Sequence, residues 1–366
     1  MRIRELWAEG WRNLEPLRLA PGEHLSVLFG DNGQGKTNVL EAVYYLAALR
    51  SFRTTHADDL IRRQAERARL RAEVQHRGLD RRFEVELSAA GRQARLDGKP
   101  VRGTAAALGA VSVVLFVPED LLLSRAAPVA RRRFLDLAIF NVERGYYGEA
   151  SAFQKVLKNR NALLRQGAAD PTLLDTYDQE LARTGARVVT RRRALVAALE
   201  PRFKDHFRAL HGDLPVSLVY RSAPEVESAG DEAALVAALG RGLASRRGLD
   251  LRRRFTGLGP QVDDLEIGFS GTLARSVASQ GQLRSLMLAL KLAELTHVEA
   301  CLADPPVLLL DDVPSELDPS RRGLLFEVIA ALDCQTLISV TEREIVPALS
   351  DRQNFFVRAG VVTAVG

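Results

Sequence analysis

The sequence predicts an α/β fold in which a sheet bearing a phosphate-binding loop is joined to an antiparallel β subdomain and interrupted by an inserted helical lobe with a short coiled-coil-like arm. Three observations predict it. The apolar run Leu25-Ser26-Val27-Leu28-Phe29 leads directly into GDNGQGKTN at residues 30–38. A second apolar run, Val307 to Leu310, ends in the paired acids Asp311-Asp312. Between them, from about residue 119 to 257, strand-like alternation gives way to helical spacing.

The elements follow in order. Ile3 to Ala8 and Leu25 to Phe29 read as strands around a turn at Pro21-Gly22, and a helix runs from Thr37 to about Leu49. Leu70 to Gln75, Phe83 to Leu87 and Gln93 to Leu96 alternate or run apolar between Gly78, Gly91 and Asp97-Gly98, which suits an antiparallel meander. Val111 to Val117 reads as a buried strand closed by Pro118. In the helical middle, Tyr177, Leu181, Thr184, Val188 and Leu195 recur at helical spacing with Arg between them, giving an amphipathic helix pair or short coiled-coil arm. Residues 221–231 read as a loop. Gly281 to Leu302 is a strongly apolar helix ended by Asp304-Pro305-Pro306. Val307 to Leu310 and Thr336 to Val340 have the apolar character of central parallel strands. The expected division is a core lobe of residues 1–118 and 300–366 and a helical lobe of residues 119–299.

Bulk composition agrees with two lobes, since 366 residues exceed what one core usually organises. An apolar content of 46% with 27% charge is globular composition. A formal charge of +5 is too small over this length to identify a polyanion partner. The basic residues do cluster, at Arg131-Arg132-Arg133, Arg191-Arg192-Arg193, Arg246-Arg247 and Arg252-Arg253-Arg254, either as solvated helix faces or as a polyanion-binding face. Two cysteines, Cys301 and Cys334, offer no disulfide framework and no metal spacing, which makes a reducing cytoplasm the expected compartment. No membrane span is expected, because Ala105 to Val117 is the longest apolar candidate and is too short.

GDNGQGKTN has the spacing of a P-loop in the required strand-to-helix context. Gly30, Asp31, Asn32, Gly33, Gln34, Gly35, Lys36, Thr37 and Asn38 are the expected nucleotide-binding residues. Glycines let backbone N–H groups converge on phosphate, Lys36 reaches the terminal phosphates, and the Thr37 hydroxyl is a magnesium ligand. The alternative is a glycine-rich surface turn, but only six of the 51 basic residues are Lys and one stands here. At the end of the second strand, Asp311 fits the Mg2+ ligand role and Asp312 the orientation of an attacking water. No Lys lies in the Asn-Lys-x-Asp element with which GTPases read guanine. Ser279, Gly281 and Gln282, in Ala278-Ser279-Gln280-Gly281-Gln282, form a second anion receptor at a helix start. Folding it onto the same chain's Lys36 is harder than pairing two copies head to head, so each serine is expected to close the other copy's ATP. Ser315 and Asp318 are then expected to lie across that interface.

Beyond these motifs the chain resembles the RecF family, the SMC-like ABC-type ATPases of bacterial recombinational repair. The resemblance is carried by Gly10-Trp11-Arg12-Asn13-Leu14, the P-loop, Leu40-Glu41-Ala42, Arg50-Ser51-Phe52-Arg53-Thr54, Leu115 to Leu121, Arg131 to Asp136, Ala278 to Gln282 and Leu309 to Asp318. It implies ATP and Mg2+ as cofactors, Arg12 and Asn13 as nucleotide neighbours, and Lys36 and Asp312 as catalytic groups. It further implies an ATP-dependent homodimer that clamps duplex DNA near single-strand gaps, acts with RecR and RecO to load RecA, and resets by slow hydrolysis. Arg131, Arg132, Arg133, Arg191, Arg192 and Arg193 are the candidate DNA contacts. The chain departs from the family pattern at Gln261-Val262, Leu283 and Pro314, and Thr341 stands where transporters place a switch histidine. Two alternatives stay open: an ATP-gated scaffold with negligible turnover and a nucleotide-binding subunit of a membrane transporter.

Overall fold

The computed structural model describes residues 1–76, 78–101, 111–166, 170–302, 305–347 and 351–365. Asp304 and residues 105–110 of the 105–117 stretch therefore lie outside the described residues. The chain forms two compact units, residues 1–121 with 295–366, and residues 122–294.

The first unit contains two sheets. One is antiparallel, ordered β2-β1-β4-β5-β6-β7, from β1 (Arg2–Glu9), β2 (Leu17–Leu19), β4 (Arg67–His76), β5 (Leu79–Ser88), β6 (Gly91–Leu96) and β7 (Lys99–Pro100). Burial alternates along β4 and β5, so one face of this sheet meets the core and the other meets solvent. The meander expected from the alternation is present, with strands longer than expected because charged residues occupy the solvent positions. The short β2 was not anticipated.

The other sheet has the order β15-β14-β3-β13-β12-β8. Its members are β3 (Leu25–Phe29), β8 (Val113–Phe116), β12 (Val307–Asp311), β13 (Thr336–Val340), β14 (Arg352–Arg358) and β15 (Val361–Val365). β8, β12, β13, β3 and β14 run parallel, and β15 closes an antiparallel hairpin with β14. All five residues of β12 and of β13 are buried, as central parallel strands require. The two expected strands around Pro21-Gly22 are not partners: β1 belongs to the antiparallel sheet and β3 to the parallel one. Buried Gln335, just before β13, ties β1 to the Pro21-Gly22 turn through Ile3 N, Ile3 O and Gly22 O at 2.7–3.0 Å.

The second unit is mainly helical: α2 (Pro128–Val142), α3 (Tyr146–Arg165), α4 (Pro171–His211) and α5 (Glu232–Arg253). The amphipathic stretch around Leu181 is one continuous 41-residue helix rather than a pair, and α4 packs against α3 and α5 instead of standing alone. Its buried stripe includes Leu174, Leu181, Val188, Leu195, Leu199, Phe203 and Phe207. The helical expectation missed a small sheet in which β9 (Val216–Arg221) pairs with β10 (Asp264–Phe269), itself paired with β11 (Thr272–Leu273). β9 and β10 lie more than 40 residues apart in sequence, so neither shows a local hairpin signal. The expected loop at 221–231 contains a helical turn, Pro224–Glu227. A long apolar helix, α6 (Gln280–Cys301), begins within this unit, and α7 (Pro319–Ala331) follows β12 in the first.

Candidate nucleotide site

The phosphate-type loop joins β3 to α1 (Lys36–Ala48), with Gly30, Gly33 and Gly35 at φ of 140°, 78° and 118°. A Cβ on Gly30 would lie 2.4 Å from Val357 O, so backbone conformation and close approach both require glycine there. The loop is braced from behind by the β14–β15 turn: Gly360 N donates to Gln34 O at 2.9 Å and Ala359 N to Gln34 Oε1 at 2.7 Å. The Gln34 side chain is thereby committed to the hairpin. That brace was not legible in the sequence, because the hairpin is more than 300 residues away.

Lys36 is buried at the first turn of α1, and its Nζ donates to Gly30 O at 2.5 Å and Asp31 O at 2.9 Å. Burial lowers its pKa, against the pull of Asp312, Asp311 and Asp31. Next to it, Thr37 Oγ1 donates to Asp311 Oδ1 at 2.8 Å and Ser339 Oγ donates to the same oxygen at 2.7 Å. Asp311 is 8% exposed, and burial raises its pKa while those two hydroxyls oppose the shift. A hydroxyl and a desolvated carboxylate oxygen are hard ligands of the type Mg2+ takes beside phosphates, so Thr37 and Asp311 fit that ion. Among the described residues no group of three or more His, Cys, Asp or Glu forms an all-protein metal cage, and a phosphate-bound Mg2+ does not need one.

Asp312 takes the left-handed conformation, φ 54°, at the end of β12. Its N–H donates to Ser339 O and Oγ, each at 3.0 Å, and its Oδ1 accepts from Ser315 Oγ at 2.6 Å. This fixes the carboxylate beside the P-loop. A cleft of about 720 Å³ opens here, lined by Arg12, Asn13, Gly33, Lys36, Thr37, Asn38, Arg53, Asp312 and Ser339 among others. Exposed Asp31 and Asn32 sit at the loop tip.

Arg12 and Asn13 form one wall. Arg12 makes a two-pronged contact with Glu41, which is fully buried, at 2.7 Å on both oxygens, and Ser51 Oγ donates to the same carboxylate. Asn38 Nδ2 donates to Asn13 Oδ1 at 2.6 Å, and Arg53 Nη1 donates to Asn38 Oδ1 at 2.8 Å. Arg53 and Ser339 were not among the expected site residues. Ser339 had a signal, a hydroxyl following the apolar pair Leu337-Ile338 inside a buried strand; Arg62, Arg63 and Gln64, also on the cleft, had none.

The second receptor is a helix N-terminus. Ser279 caps α6: its Oγ accepts from Gln282 N at 3.2 Å, while its own N–H donates to Gln282 Oε1 at 2.8 Å. Gln282 thus faces its own backbone, and Ser279 and Gln280 are exposed. Exposed Asp318 caps α7, accepting from Arg321 N at 3.0 Å.

The arginine runs require a correction. Arg131 is 2% exposed and forms a two-pronged pair with Asp264 at 2.7 Å; Arg192 is 4% exposed and pairs likewise with Asp136 at 2.8 and 2.9 Å. Neither can face DNA or solvent, because its guanidinium holds the helical unit together. Arg132 donates to Asp263 O, Arg193 to Ala229 O and Val226 O, and Arg191 lies near Glu143 and Glu149. Arg133 alone of the six is exposed without a partner among the described residues.

Comparison with known proteins bears on the same regions. Residues 2–361 match the family model described as RecF/RecN/SMC N terminal domain. The chain is 42% identical over 371 residues to the DNA replication and repair protein RecF of Anaeromyxobacter dehalogenans strain 2CP-C, covering 99% of each chain. It is 38% identical over 368 residues to that of Geobacter sulfurreducens, covering 100% of each. A solved structure of the recombination mediator protein RecF-ATPrS in the RecFOR pathway superimposes with a TM-score of 0.92 at 28% identity, covering 100% of this chain and 98% of that one. An SmcHead bound to the C-winged helix domain of ScpA gives 0.59 at 14% identity, a likeness of fold.

Proposed function

The chain belongs to the RecF family of DNA replication and repair proteins, with the ABC-like ATPase fold of RecF and SMC heads, and we propose that it is an ATP-dependent dimerising DNA clamp. The observation that carries this reading is that Lys36, Thr37 and Asp312 line one cleft behind a glycine loop, with Asp311 hydrogen-bonded to Thr37 beside it. Solved relatives of like fold are described as RecF-ATP and RecF-ATPrS, which supports nucleotide as the occupant.

In this reading Lys36 exchanges its two carbonyl partners for phosphate oxygens, and the loop N–H groups complete the cradle. Thr37 and Asp311 hold Mg2+, which offsets the phosphate charge. Asp312, fixed by Ser315, orients water. Ser279 of a second copy closes the nucleotide with its helix N-terminus, so ATP adds contacts only in the dimer and shifts monomers towards it by that differential affinity. The dimer grips duplex DNA near single-strand gaps through exposed cations meeting phosphates, a binding that is salt-sensitive and sequence-tolerant. It acts with RecR, and with RecO and RecA downstream, and hydrolysis reopens it. Family membership sets aside the transporter-subunit alternative. The scaffold alternative keeps one supporting observation, the Asp312 carboxylate already engaged by Ser315.

Lys36→Ala tests the reading. ATP-dependent DNA binding is expected to vanish while nucleotide-independent binding persists; ATP-dependent binding at wild-type strength would refute the assignment of the cleft.

A further inference from the structure

A glycine loop cradles phosphate only when its peptide N–H groups point inward, and a segment with three glycines among residues 30–35 has little of its own to aim them. The turn between β14 and β15 supplies the constraint. Arg358 and Val361 are cross-strand partners, so Ala359 and Gly360 form a two-residue hairpin loop, at φ of 49° and 80°. Such loops favour Asn-Gly or Asp-Gly, because alanine is strained in the left-handed region. The central N–H groups of a two-residue loop take no part in the strand ladder. Here both are spent on one residue: Ala359 N donates to Gln34 Oε1 at 2.7 Å and Gly360 N to Gln34 O at 2.9 Å.

Fixing Gln34 O has a geometric consequence. A peptide unit is planar and trans, so its C=O and N–H point in opposite directions. The Gln34 carbonyl and the Gly35 N–H belong to one unit, and with the carbonyl drawn to Gly360 the N–H is turned the other way. Gly35 lines the cleft beside Lys36 and Thr37, at the N-terminal end of α1 where a phosphate would sit. One unit earlier, Gly33 O accepts from Asn13 Nδ2 at 3.3 Å.

The turn has a fixed seat of its own. Gly360 is buried and its carbonyl accepts from Glu15 N at 3.0 Å. A Cβ on Gly360 would overlap Asn13 O, and one on Gly35 would lie 3.0 Å from Asn13 Oδ1 and from Leu14 Cδ2. Residues 13–15, 33–35 and 359–360 therefore meet with room only for glycine at positions 35 and 360. The Arg12-Asn13 wall and the phosphate loop are locked to the same turn.

We propose that the β14–β15 turn is the positioning element of the phosphate loop, with Gln34 and Gly360 as positioning residues that keep the Gly35 N–H aimed at the phosphates and so set the affinity for ATP. Preorganisation raises affinity by removing the ordering cost that a flexible loop meets on binding. This role rests on the reading of the cleft as the nucleotide site and deepens it.

Calorimetric titration of the full chain with ATP and with tripolyphosphate, each with magnesium, tests it on the wild type, Gln34→Met, Gly360→Ala and the double variant. Methionine keeps the length of glutamine without its acceptor. Gln34→Met is expected to weaken ATP binding roughly tenfold, as the loss of one hydrogen bond would. Tripolyphosphate is expected to weaken by the same factor, because the defect lies in the phosphate cradle. Gly360→Ala, which also displaces Asn13, is expected to lose more, and the double variant no more than Gly360→Ala alone, since both substitutions break one junction. The nucleotide-free melting temperature of Gln34→Met is expected to match the wild type, which separates positioning from a merely structural role. Wild-type ATP affinity in both single variants would overturn the proposal. So would fully additive losses in the double variant, or a Gln34→Met loss accompanied by an equally marked fall in nucleotide-free melting temperature. An ATP affinity that Lys36→Ala leaves unaltered would refute the cleft assignment itself, and this role with it.

Discussion

In the unit built from residues 1–121 and 295–366, buried Lys36 and Asp311 are held by backbone carbonyls and hydroxyls at the edge of an open cleft. In the unit of residues 122–294, buried Arg160 is closed off by Asp178 at 2.6 Å and Asp250 at 2.8 Å, and Arg192 by Asp136. The first arrangement leaves an ammonium and a carboxylate with neutral partners that a ligand can displace. The second neutralises each buried cation with an anion. A buried charge is therefore a functional candidate when its partners are dipoles facing a cavity, and a structural one when its partners are opposite charges from neighbouring helices.

The largest effect that would break this comparison lies in the helical unit. Arg160→Ala leaves Asp250 without its cation in a fully buried site and is expected to cost about 3–5 kcal/mol in chemical denaturation. Lys36→Ala, removing a buried cation with no anion in direct contact, is expected to change stability by less than about 1 kcal/mol. Equal losses from the two substitutions would erase the distinction.

A smaller effect sharpens the nucleotide side. Asp312→Asn keeps the Ser315 contact but removes the charge, and steady-state ATP turnover is expected to fall roughly 100-fold while the dimer outlives the wild type. Unchanged turnover would take Asp312 out of the hydrolytic role.

The smallest effect concerns Asp263, where burial pushes the pKa up from 3.8 to about 6 against hydrogen bonds from Tyr220 and Ser222 and the charges of Arg192 and Arg193. Because the folded-state pKa is the higher one, its contribution to stability is present below pH 3.8 and is lost as pH rises through about 6. Asp263→Asn is expected to flatten melting temperature against pH in that window. An unaltered profile would mean that Asp263 titrates normally.

How much was legible in the sequence follows from the same contrast. Gly30 to Thr37 is a local motif, since the atoms that cradle phosphate come from consecutive residues, and β3, β12 and β13 carry their burial in their own apolar runs. The arginine runs were misread because their partners are remote: Arg192 meets Asp136 across 56 residues and Arg131 meets Asp264 across 133. Three consecutive arginines look alike in sequence, yet a helix turns Arg131 inward and Arg133 outward. The β9–β10 pairing and the Gln34 brace were hidden for the same reason, separation along the chain.

Molecular mass in solution tests the central claim most directly. With a non-hydrolysable ATP analogue and magnesium at saturation, sedimentation or light scattering is predicted to give twice the monomer mass. A Ser279→Arg chain that still binds the analogue is predicted to stay monomeric. A wild type that remains monomeric under those conditions with gapped duplex present, or a Ser279→Arg chain that dimerises as well as the wild type, would contradict the account.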